Sequence, residues 1–384
     1  MMTVLRIVHL TTVHPRCDTR IFLKQAQTLA AKLPHDVWLV VADGMGGVGA
    51  RQGGVSICDL GRPAGGRLGR ALAGSGRAFF CIRKLRPTVV HFHDPELIPL
   101  GLILKLYRHK VIYDVHEHVF QDILDKPWIP RMIRCPIAWV MNVLEWLAVK
   151  SFDAIVPATP KIAEGFPVHK TSVVQNFPYR SELDSVSAKS YETRPNAFAY
   201  VGSIAALRGA REMVQALGYM TAPPDVRLEM AGDFSPVGLG DELRALSSWP
   251  SVICHGHVTQ SGVADILGRV RAGLVLFHPT PYHIDAQPNK MFEYMAAGLP
   301  VIASDFPLWR QIIGSARCGL LVDPKNPKAI AEAMQWILEH PAEAEAMGRR
   351  GRKAVEETYN WERESVKLLA LYERLLGNKP TSPL

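Results

Sequence analysis

The chain has 384 residues, of which 48% are hydrophobic and 21% charged, and its formal charge is +8. One hydrophobic core rarely serves so long a chain, because domains usually hold about 100 to 200 residues, so we expect two domains. The composition is that of a folded globular protein and excludes a disordered or fibrous chain. Six cysteines occur without a C-x-x-C pair, which argues against a zinc site or a disulfide framework and favours a reducing compartment.

No pattern in the sequence is typical of export or of a membrane span. The chain runs from Met1 into a strand-like segment, residues 4–8, instead of a signal peptide. The most apolar run, residues 136–149, is interrupted by Asn142 and Glu145 and is shorter than the roughly 18 to 20 residues that a bilayer requires. We therefore predict a cytoplasmic protein that does not cross a membrane.

Strands and helices alternate through both halves of the sequence, which predicts parallel sheets covered by helices on both faces. In the first half, a helix at residues 21–32 and a basic helix separate strands at residues 4–9, 37–41 and 89–93. In the second half, strands are predicted at residues 198–202, 227–230, 252–255, 272–277 and 301–304. Residues 179–196 are polar and lack an apolar period, so we interpret them as a linker.

A basic stretch, residues 51–86, contains eight Lys or Arg residues and one acid, Asp59. Such a stretch favours an anionic partner, and it is equally typical of a solvated helix face.

Residues 44–49 contain a G-x-G-x-x-G pattern that does not fit a dinucleotide site. In such a site the last glycine opens a helix that faces the pyrophosphate. Here residues 50–54 lead into another strand-like run, residues 55–58, so the pattern predicts a surface loop.

Residues 285–300 have the composition of a phosphate-binding helix start. Pro288 and Asn289 suit a helix N-terminus, and Gly298 suits its end. The unpaired N–H groups of that terminus can hold a diphosphate without a metal, and Lys290 adds a charge. Glu293 can accept hydrogen bonds from ribose hydroxyls, and Asp285 lies in the preceding loop. The alternative is an ordinary helix start with surface acids.

Motifs spread over nearly the whole chain carry a family resemblance. They occupy residues 14–22, 89–97, 113–117, 200–203, 207–209, 231–233, 255–258, 285–300 and 319–322. In this order and spacing they resemble the family-four retaining glycosyltransferases of the GT-B fold. The resemblance implies two Rossmann-like, doubly wound parallel-sheet domains that face a cleft. Residues 1–180 would bind the acceptor and residues 196–359 the nucleotide sugar, with a final helix, residues 360–376, packed back on the first domain.

The resemblance also assigns residues that hold the nucleotide sugar. The family's E-x7-E signature falls on Asp285, which would contact the transferred sugar, and on Glu293, which would contact the ribose; Asp285 is one methylene shorter than the usual Glu. Arg208, followed by a glycine, matches the family's main cation for the diphosphate. Gly202 and Ser203 match the loop after the first strand, although many relatives have a basic residue in place of Ser203. Lys290 and Asn289 would complete this set.

On the acceptor side, His93 matches the family histidine that reaches the reacting sugar from a strand end. The alternative for His93 is a partly buried histidine satisfied by a backbone carbonyl. His14, Asp18 and Arg20, in the loop after the first strand, are predicted to contact the acceptor.

The predicted activity is a retaining, metal-independent hexosyl transfer from a nucleotide-diphosphate sugar to a glycan or lipid-linked glycan in cell-surface polysaccharide synthesis. Neither half contains the Asp-x-Asp pair that holds a diphosphate-bound metal, so we expect no metal and no cofactor. A nucleotide-sugar 2-epimerase of the same fold and a non-catalytic protein that binds an anionic surface remain the alternatives; nucleic acid is not an expected partner.

Residues 127–141 mix Trp, Ile and Met with arginines, a combination that suits an anionic membrane surface as well as a packed core. Peripheral attachment to the inner face of the plasma membrane is therefore a further prediction.

Overall fold

The computed structural model describes residues 5–47, 49–62, 66–117, 119–125, 129–183, 190–221 and 223–377. The chain divides into an N-terminal unit, Met1–Asn176 with Arg363–Leu384, and a C-terminal unit, Phe177–Glu362. Each unit is built on one large, mainly parallel sheet flanked by helices, which confirms the predicted fold class.

A seven-stranded sheet forms the N-terminal unit. Its strands are β1 (Arg6–Leu10), β2 (Asp36–Val41), β3 (Arg51–Gln52), β4 (Val55–Asp59), β5 (Val89–Phe92), β6 (Lys110–Val115) and β7 (Ala154–Pro157). They lie in the order β3-β4-β2-β1-β5-β6-β7, and every neighbouring pair is parallel except β3 with β4. The central strands are fully buried because helices cover both faces of the sheet.

The helices of this unit follow the predicted order. They are α1 (Gln27–Lys32), α2 (Gly66–Leu85), α3 (Ile98–Leu106), α4 (Val119–Asp125), α5 (Arg131–Ser151) and α6 (Pro160–Ala163). A π-helical segment, Thr19–Ala26, runs into α1, so the first helical stretch begins two residues earlier than predicted. Short 3-10 turns lie at Pro95–Leu97 and Val168–Lys170.

The glycine-rich stretch is a loop before β3 and β4, which confirms that a strand and not a helix follows it. Gly44, Gly46, Gly47 and Gly49 all have positive φ, a conformation that glycine adopts at no steric cost. Val48 lies outside the described residues.

The C-terminal unit contains a six-stranded, wholly parallel sheet in the order β12-β10-β8-β13-β14-β15 and a separate pair, β11-β9. The strands are β8 (Ala197–Val201), β9 (Ile204–Ala205), β10 (Arg227–Ala231), β11 (Phe234–Ser235), β12 (Val252–Gly256), β13 (Ala272–Val275), β14 (Val301–Ser304) and β15 (Gly319–Val322). Every predicted strand of this half is present, with ends that differ by one or two residues.

Helices flank this sheet as in the first unit. They are α7 (Ala210–Leu217), α8 (Leu239–Arg244), α9 (Gln260–Leu267), α10 (Pro281–Ile284), α11 (Asn289–Ala296), α12 (Pro307–Ala316), α13 (Pro327–Glu339) and α14 (Pro341–Glu357). Short 3-10 turns lie at Arg180–Leu183, Tyr191–Thr193, Ala206–Arg208 and Trp249–Ser251.

The last helix, α15 (Trp361–Leu376), starts in the C-terminal unit and continues into the N-terminal one, which it joins from Arg363 onward. Leu368, Leu371 and Tyr372 are almost fully buried there. The Tyr372 hydroxyl lies 2.9 Å from Nδ1 of His91 in β5, which links α15 to the sheet.

One helix among the described residues, α5, is long and apolar enough to cross a membrane by length and composition. Its most apolar stretch of 18 residues has a mean hydropathy of 1.3, and only 11% of that stretch is buried. The predicted apolar run began at residue 136, whereas α5 begins at Arg131. One side of α5 packs on α3 and α4, so the helix is part of the N-terminal unit.

Candidate functional site

The loop after β8 places Gly202, which has no side chain, next to Lys290. Gly202 has φ +112, and a Cβ atom built on it would lie 3.2 Å from Nζ of Lys290. At the end of the neighbouring strand β10, a Cβ on Gly232 would clash with the carbonyl of Gly202. Ser203 is exposed, and its carbonyl accepts a hydrogen bond from the Tyr200 hydroxyl at 2.8 Å. A larger side chain at Gly202 would fill the space beside Lys290, and one at Gly232 would displace the Gly202 backbone.

Lys290 is 7% exposed, and its ammonium has no hydrogen-bond partner among the described residues. Nζ lies 3.7 Å from the centre of the Tyr200 ring. Burial, reinforced by the charge of Arg208, holds the pKa of Lys290 well below its usual value, and Glu293 opposes this only in part. A buried charge without a partner costs free energy. An anionic ligand that bonds to Nζ of Lys290 would remove this cost and would therefore bind strongly.

Arg208 and Lys290 approach the same aromatic ring. Cζ of Arg208 is 5.5 Å and Nζ of Lys290 is 5.6 Å from the centre of Phe277. Arg208 ends a 3-10 turn, and the next residue, Gly209, has φ +77 and is the N-cap of α7. A Cβ on Gly209 would clash with the carbonyl of Leu276, so the glycine after the arginine is required by backbone packing.

Helix α11 begins at Asn289 with Pro288 as its N-cap, which confirms the predicted helix start. Asp285 is the C-cap of α10, and the indole N–H of Trp309 donates to the carbonyl of Ala286 at 2.7 Å, which fixes the loop between the two helices. Glu293 lies in the second turn of α11 and is half-buried. The contacts that Asp285, Asn289 and Glu293 make with a ligand stay predictions.

In the N-terminal unit, Asp114 at the end of β6 collects five hydrogen bonds. Its carboxylate accepts from Nε (3.0 Å) and Nη2 (2.6 Å) of Arg20, from Nε2 of Gln25 (2.9 Å), from Nδ1 of His93 (2.8 Å) and from Nε2 of His116 (3.0 Å). Burial alone would raise the pKa of Asp114, but the charges of Arg20 and His116 and these hydrogen bonds hold it well below its usual value. Asp114 is therefore ionised and acts as an acceptor only.

This acceptor fixes the tautomer of His93. Burial lowers the pKa of His93 to about 3, despite the opposing effect of Asp114, so the ring is neutral and its single proton lies on Nδ1. Nε2 of His93 must then accept from Nδ1–H of His9, 3.0 Å away. The alternative prediction for His93 was a histidine that bonds to a backbone carbonyl. In the structure Nδ1 of His93 bonds to the carboxylate of Asp114 instead. Its predicted role at the reacting sugar stays a prediction.

The chain of hydrogen bonds continues to α15. With Nδ1 of His9 protonated, its Nε2 is an acceptor and lies 3.5 Å from the Tyr372 hydroxyl, which in turn lies 2.9 Å from Nδ1 of His91. Burial lowers the pKa of both His9 and His91 well below the usual value. Three neutral histidines in one core hold defined tautomers only if such a network orders them.

Two groups in this region have a ligand set suited to a metal ion. They are His9 with His91 and His93, and His93 with Asp114 and His116, each with donor atoms within 4.8 Å of one another. Neutral imidazoles and a carboxylate suit zinc. The nitrogens of His9 and His93 already bond within the network, so an ion would have to replace those hydrogen bonds. The prediction of a metal-free reaction stays a prediction.

The three predicted acceptor residues have different environments. Asp18 caps the π-helical segment by accepting from the N–H groups of Arg20 and Ile21, and His14 Nδ1 lies 3.2 Å from its carboxylate. His14 and Asp18 are partly exposed, whereas the Arg20 guanidinium is buried and also donates to the carbonyl of Val174 at 2.7 Å. This favours a positioning role for Arg20.

Sequence reasoning assigned no role to Asp114, Asp94, His9 or Tyr372. Asp94, after β5, accepts hydrogen bonds from the Thr11 hydroxyl at 2.9 Å and the Thr12 N–H at 2.6 Å, so it ties together the loops after β1 and β5. One signal in the sequence could have identified Asp114, because it lies at the end of the apolar strand β6. A carboxylate in such a position is buried only if it is paired.

The His14 and Asp18 pair yields a pH prediction. Burial lowers the pKa of His14, but Asp18 and Asp94 more than offset it and raise the pKa above 6.5. Despite burial, His14 and the N–H of Ile21 lower the pKa of Asp18 to about 2. The stabilisation that His14 contributes is therefore complete below its unfolded pKa and is lost as pH rises through the folded pKa. The Asp18 contribution is lost as pH falls toward about 2.

NMR titration of the imidazoles should place the His14 pKa above 6.5, and Asp18→Asn should lower it. Asp233→Asn, at an exposed position of the C-terminal unit, is the matched control substitution and should leave the His14 pKa unchanged. A His14 pKa that is unchanged in Asp18→Asn would contradict the pairing.

Comparison with known families matches both units separately. Residues 19–173 match the family described as Glycosyl transferase 4-like domain, and residues 184–354 match Glycosyl transferases group 1.

The chain is also similar to individual proteins in sequence or in fold. Glycogen synthase of Mycobacterium tuberculosis is 21% identical over 297 residues, which cover 76% of this chain and 69% of that protein. The structure of sucrose-phosphate synthase from Thermosynechococcus elongatus is similar with a TM-score of 0.75 and 17% identity, over 97% of this chain and 99% of the other. Anabaena HepE in complex with UDP-glucose is similar with a TM-score of 0.71 and 12% identity, over 96% and 100%.

Proposed function

Because the chain belongs to the family-four glycosyltransferases of the GT-B fold, we propose that it moves a hexose-type sugar from a nucleotide-diphosphate sugar to a glycan or lipid-linked glycan acceptor. The proposed reaction retains the configuration of the anomeric carbon and serves cell-surface polysaccharide synthesis on the cytoplasmic side of the plasma membrane.

The observation that carries this proposal is the buried ammonium of Lys290, which lies beside Gly202 and near Arg208 and has no hydrogen-bond partner in the described part of the chain. A diphosphate oxygen would supply the missing hydrogen bond and neutralise two neighbouring cations at once. The N-terminus of α11, an eight-residue helix, adds the positive end of a helix dipole. Together these groups match the anionic half of a nucleotide sugar.

The same groups can stabilise the departing diphosphate as charge develops on it, in an arrangement fixed before the reaction begins. This electrostatic role would make a bound metal unnecessary. In the proposed mechanism the acceptor hydroxyl attacks the face that the leaving group vacates, and a diphosphate oxygen takes its proton.

We further propose that His14 and Asp18 contact the acceptor and that His93 contacts the reacting sugar. The partial exposure of His14 and Asp18 supports the first assignment. The second assignment rests on the family resemblance, because both ring nitrogens of His93 bond to Asp114 and His9, and a sugar hydroxyl would have to replace one of these partners.

Screening the purified protein with UDP-, GDP- and ADP-sugars for thermal stabilisation tests the proposal first, because a ligand at 100 times its dissociation constant adds about 2.7 kcal/mol. Product analysis with the stabilising donor then separates a lengthened glycan from the free epimer expected of a 2-epimerase. Activity should survive a chelator. If none of the donors stabilises the protein, the nucleotide-sugar assignment is wrong, and if chelated enzyme recovers only with magnesium or manganese, the metal-free mechanism is wrong.

Glu293→Gln should raise the dissociation constant of the free nucleotide at least about tenfold, because a charged acceptor for the ribose hydroxyls is lost. Isothermal titration calorimetry measures this directly. Glu332→Gln, at an exposed position of α13, is the matched control and should leave affinity unchanged. Equal affinities of the two variants would reject the ribose contact.

A further inference from the structure

Helix α5 turns its apolar side outward. Two rows of large apolar residues, each spaced by seven, run along the exposed side, and their exposed fractions range from 40% to 91%. We call this surface the α5 open face; it comprises Met132, Ile133, Trp139, Val140, Trp146 and Leu147. Seven residues are nearly two helical turns, so each row follows the helix axis. Continuous apolar surfaces of this kind mark sites of interaction.

The opposite side of α5 anchors the helix to its own unit. Ala138 and Ala148 are fully buried, and the guanidinium of Arg134 donates to the carbonyls of Ile129 (2.7 Å) and Leu124 (3.0 Å). Glu145 accepts from the Tyr113 hydroxyl at 3.2 Å, and burial raises its pKa despite that bond. A helix held this way on one side is fixed to its own unit and presents its other side outward.

Charge around the α5 open face is positive. Two exposed basic residues, Arg131 and Lys150, lie near the ends of the helix, whereas Arg134 and the helix's one acid, Glu145, form hydrogen bonds on the packed side. Lys150 extends over the Trp146 ring, with Nζ 3.5 Å from its centre, so a cation lies directly beside the apolar row. Tryptophans next to cations are typical of surfaces that enter the headgroup boundary of an anionic membrane.

A second copy of the chain fits the α5 open face less well. In a two-fold pair the same face meets itself, and an antiparallel helix pair would bring Arg131 of one copy toward Lys150 of the other. The helix has no acid on that side to offset the repulsion.

We propose that the α5 open face docks the enzyme on an anionic lipid bilayer, with Met132, Trp139 and Trp146 in the headgroup boundary. Docking itself depends only on α5, while its purpose, access to a lipid-linked acceptor, rests on the proposed function. The docking surface is therefore a property of the N-terminal unit. Pro127 and Trp128, which contributed to the sequence prediction of a membrane surface, lie outside the described residues.

Co-sedimentation of the full chain with vesicles tests the proposal. Binding should occur to vesicles that contain phosphatidylglycerol, should be weak with phosphatidylcholine alone, and should fall between about 0.1 M and 1 M salt as the screening length shortens from about 10 to 3 Å. The double variant Met132→Glu/Trp139→Glu should lower the partition coefficient at least about tenfold. Val237→Glu, at a comparably exposed position of the C-terminal unit, is the matched control and should bind as the wild type does.

Two further measurements make each outcome decisive. Nucleotide-induced thermal stabilisation should be equal in the wild type and in the double variant. Equal stabilisation shows that the variant is folded. It also separates a failure of membrane docking from a failure of the nucleotide site. Analytical ultracentrifugation without lipid reports the oligomeric state. Absence of binding to anionic vesicles at low salt would overturn the proposal, as would a dimer that the double variant converts to a monomer.

Discussion

Arg208→Ala is expected to lower turnover by a factor of at least about 100, because it removes a cation that stabilises the leaving diphosphate in the transition state. The loss should appear in kcat as well as in kcat/KM, since charge on the leaving group grows as the bond breaks. Lys290 would stay beside the vacated space as the remaining cation. We therefore expect the nucleotide itself to bind more weakly but measurably.

The control for Arg208→Ala is Arg211→Ala. Arg211 lies in α7, three residues further on, and its guanidinium pairs with Glu242 on an exposed surface. Loss of such a pair costs roughly 0 to 1 kcal/mol of stability and should leave turnover unchanged. Equal turnover of the Arg208→Ala variant and the wild type would remove Arg208 from the proposed mechanism.

Asp114→Asn is expected to lower the free energy of unfolding of the N-terminal unit by about 3 to 5 kcal/mol, because it leaves the buried Arg20 charge without its counter-ion. The side-chain amide of the new Asn would also direct an N–H group toward groups that donate to Asp114 in the wild type. His93 would then lose its fixed tautomer, and turnover should fall. The loss of stability can be measured by urea denaturation. Hydrogen exchange of the amides in β1, β5 and β6 then reports whether the loss lies in the N-terminal unit.

Two comparisons sharpen this result. Glu164→Gln removes an exposed ion pair with Lys161 in the same unit and should cost less than about 1 kcal/mol. The double variant Arg20→Gln/Asp114→Asn should lose less stability than the sum of its two parts, because both changes break one interaction. Additive losses would mean that the Arg20 pair does not account for the stability of Asp114.

The strands and the phosphate-binding helix start were predictable because their signals are local. β-branched runs mark the strands, and Pro288, Asn289 and Gly298 mark the ends of α11 within ten residues of one another. The burial of Lys290 was not predictable in the same way. It depends on Tyr200 and Gly202, which approach Lys290 only after the sheet has formed.

The hydrogen-bond network of the N-terminal unit was hidden for the same reason. Arg20 and Asp114 are 94 positions apart, and His91 and Tyr372 are 281 apart. No short motif encodes pairings across such distances. The apolar residues of α5 illustrate another limit, since Met132, Trp139 and Trp146 form a stripe that fits a core as well as a surface, and only the fold decides which.

The path of α15 has a consequence for the order of folding on the ribosome. The C-terminal unit, Phe177–Glu362, is encoded entirely between the two parts of the N-terminal unit. A nascent chain can therefore complete the core of the second unit while the first still lacks Leu368, Leu371 and Tyr372. Until α15 emerges, His91 lacks the Tyr372 hydroxyl as a hydrogen-bond partner. The unit whose synthesis starts first is thus completed only after the whole of the other unit has been made.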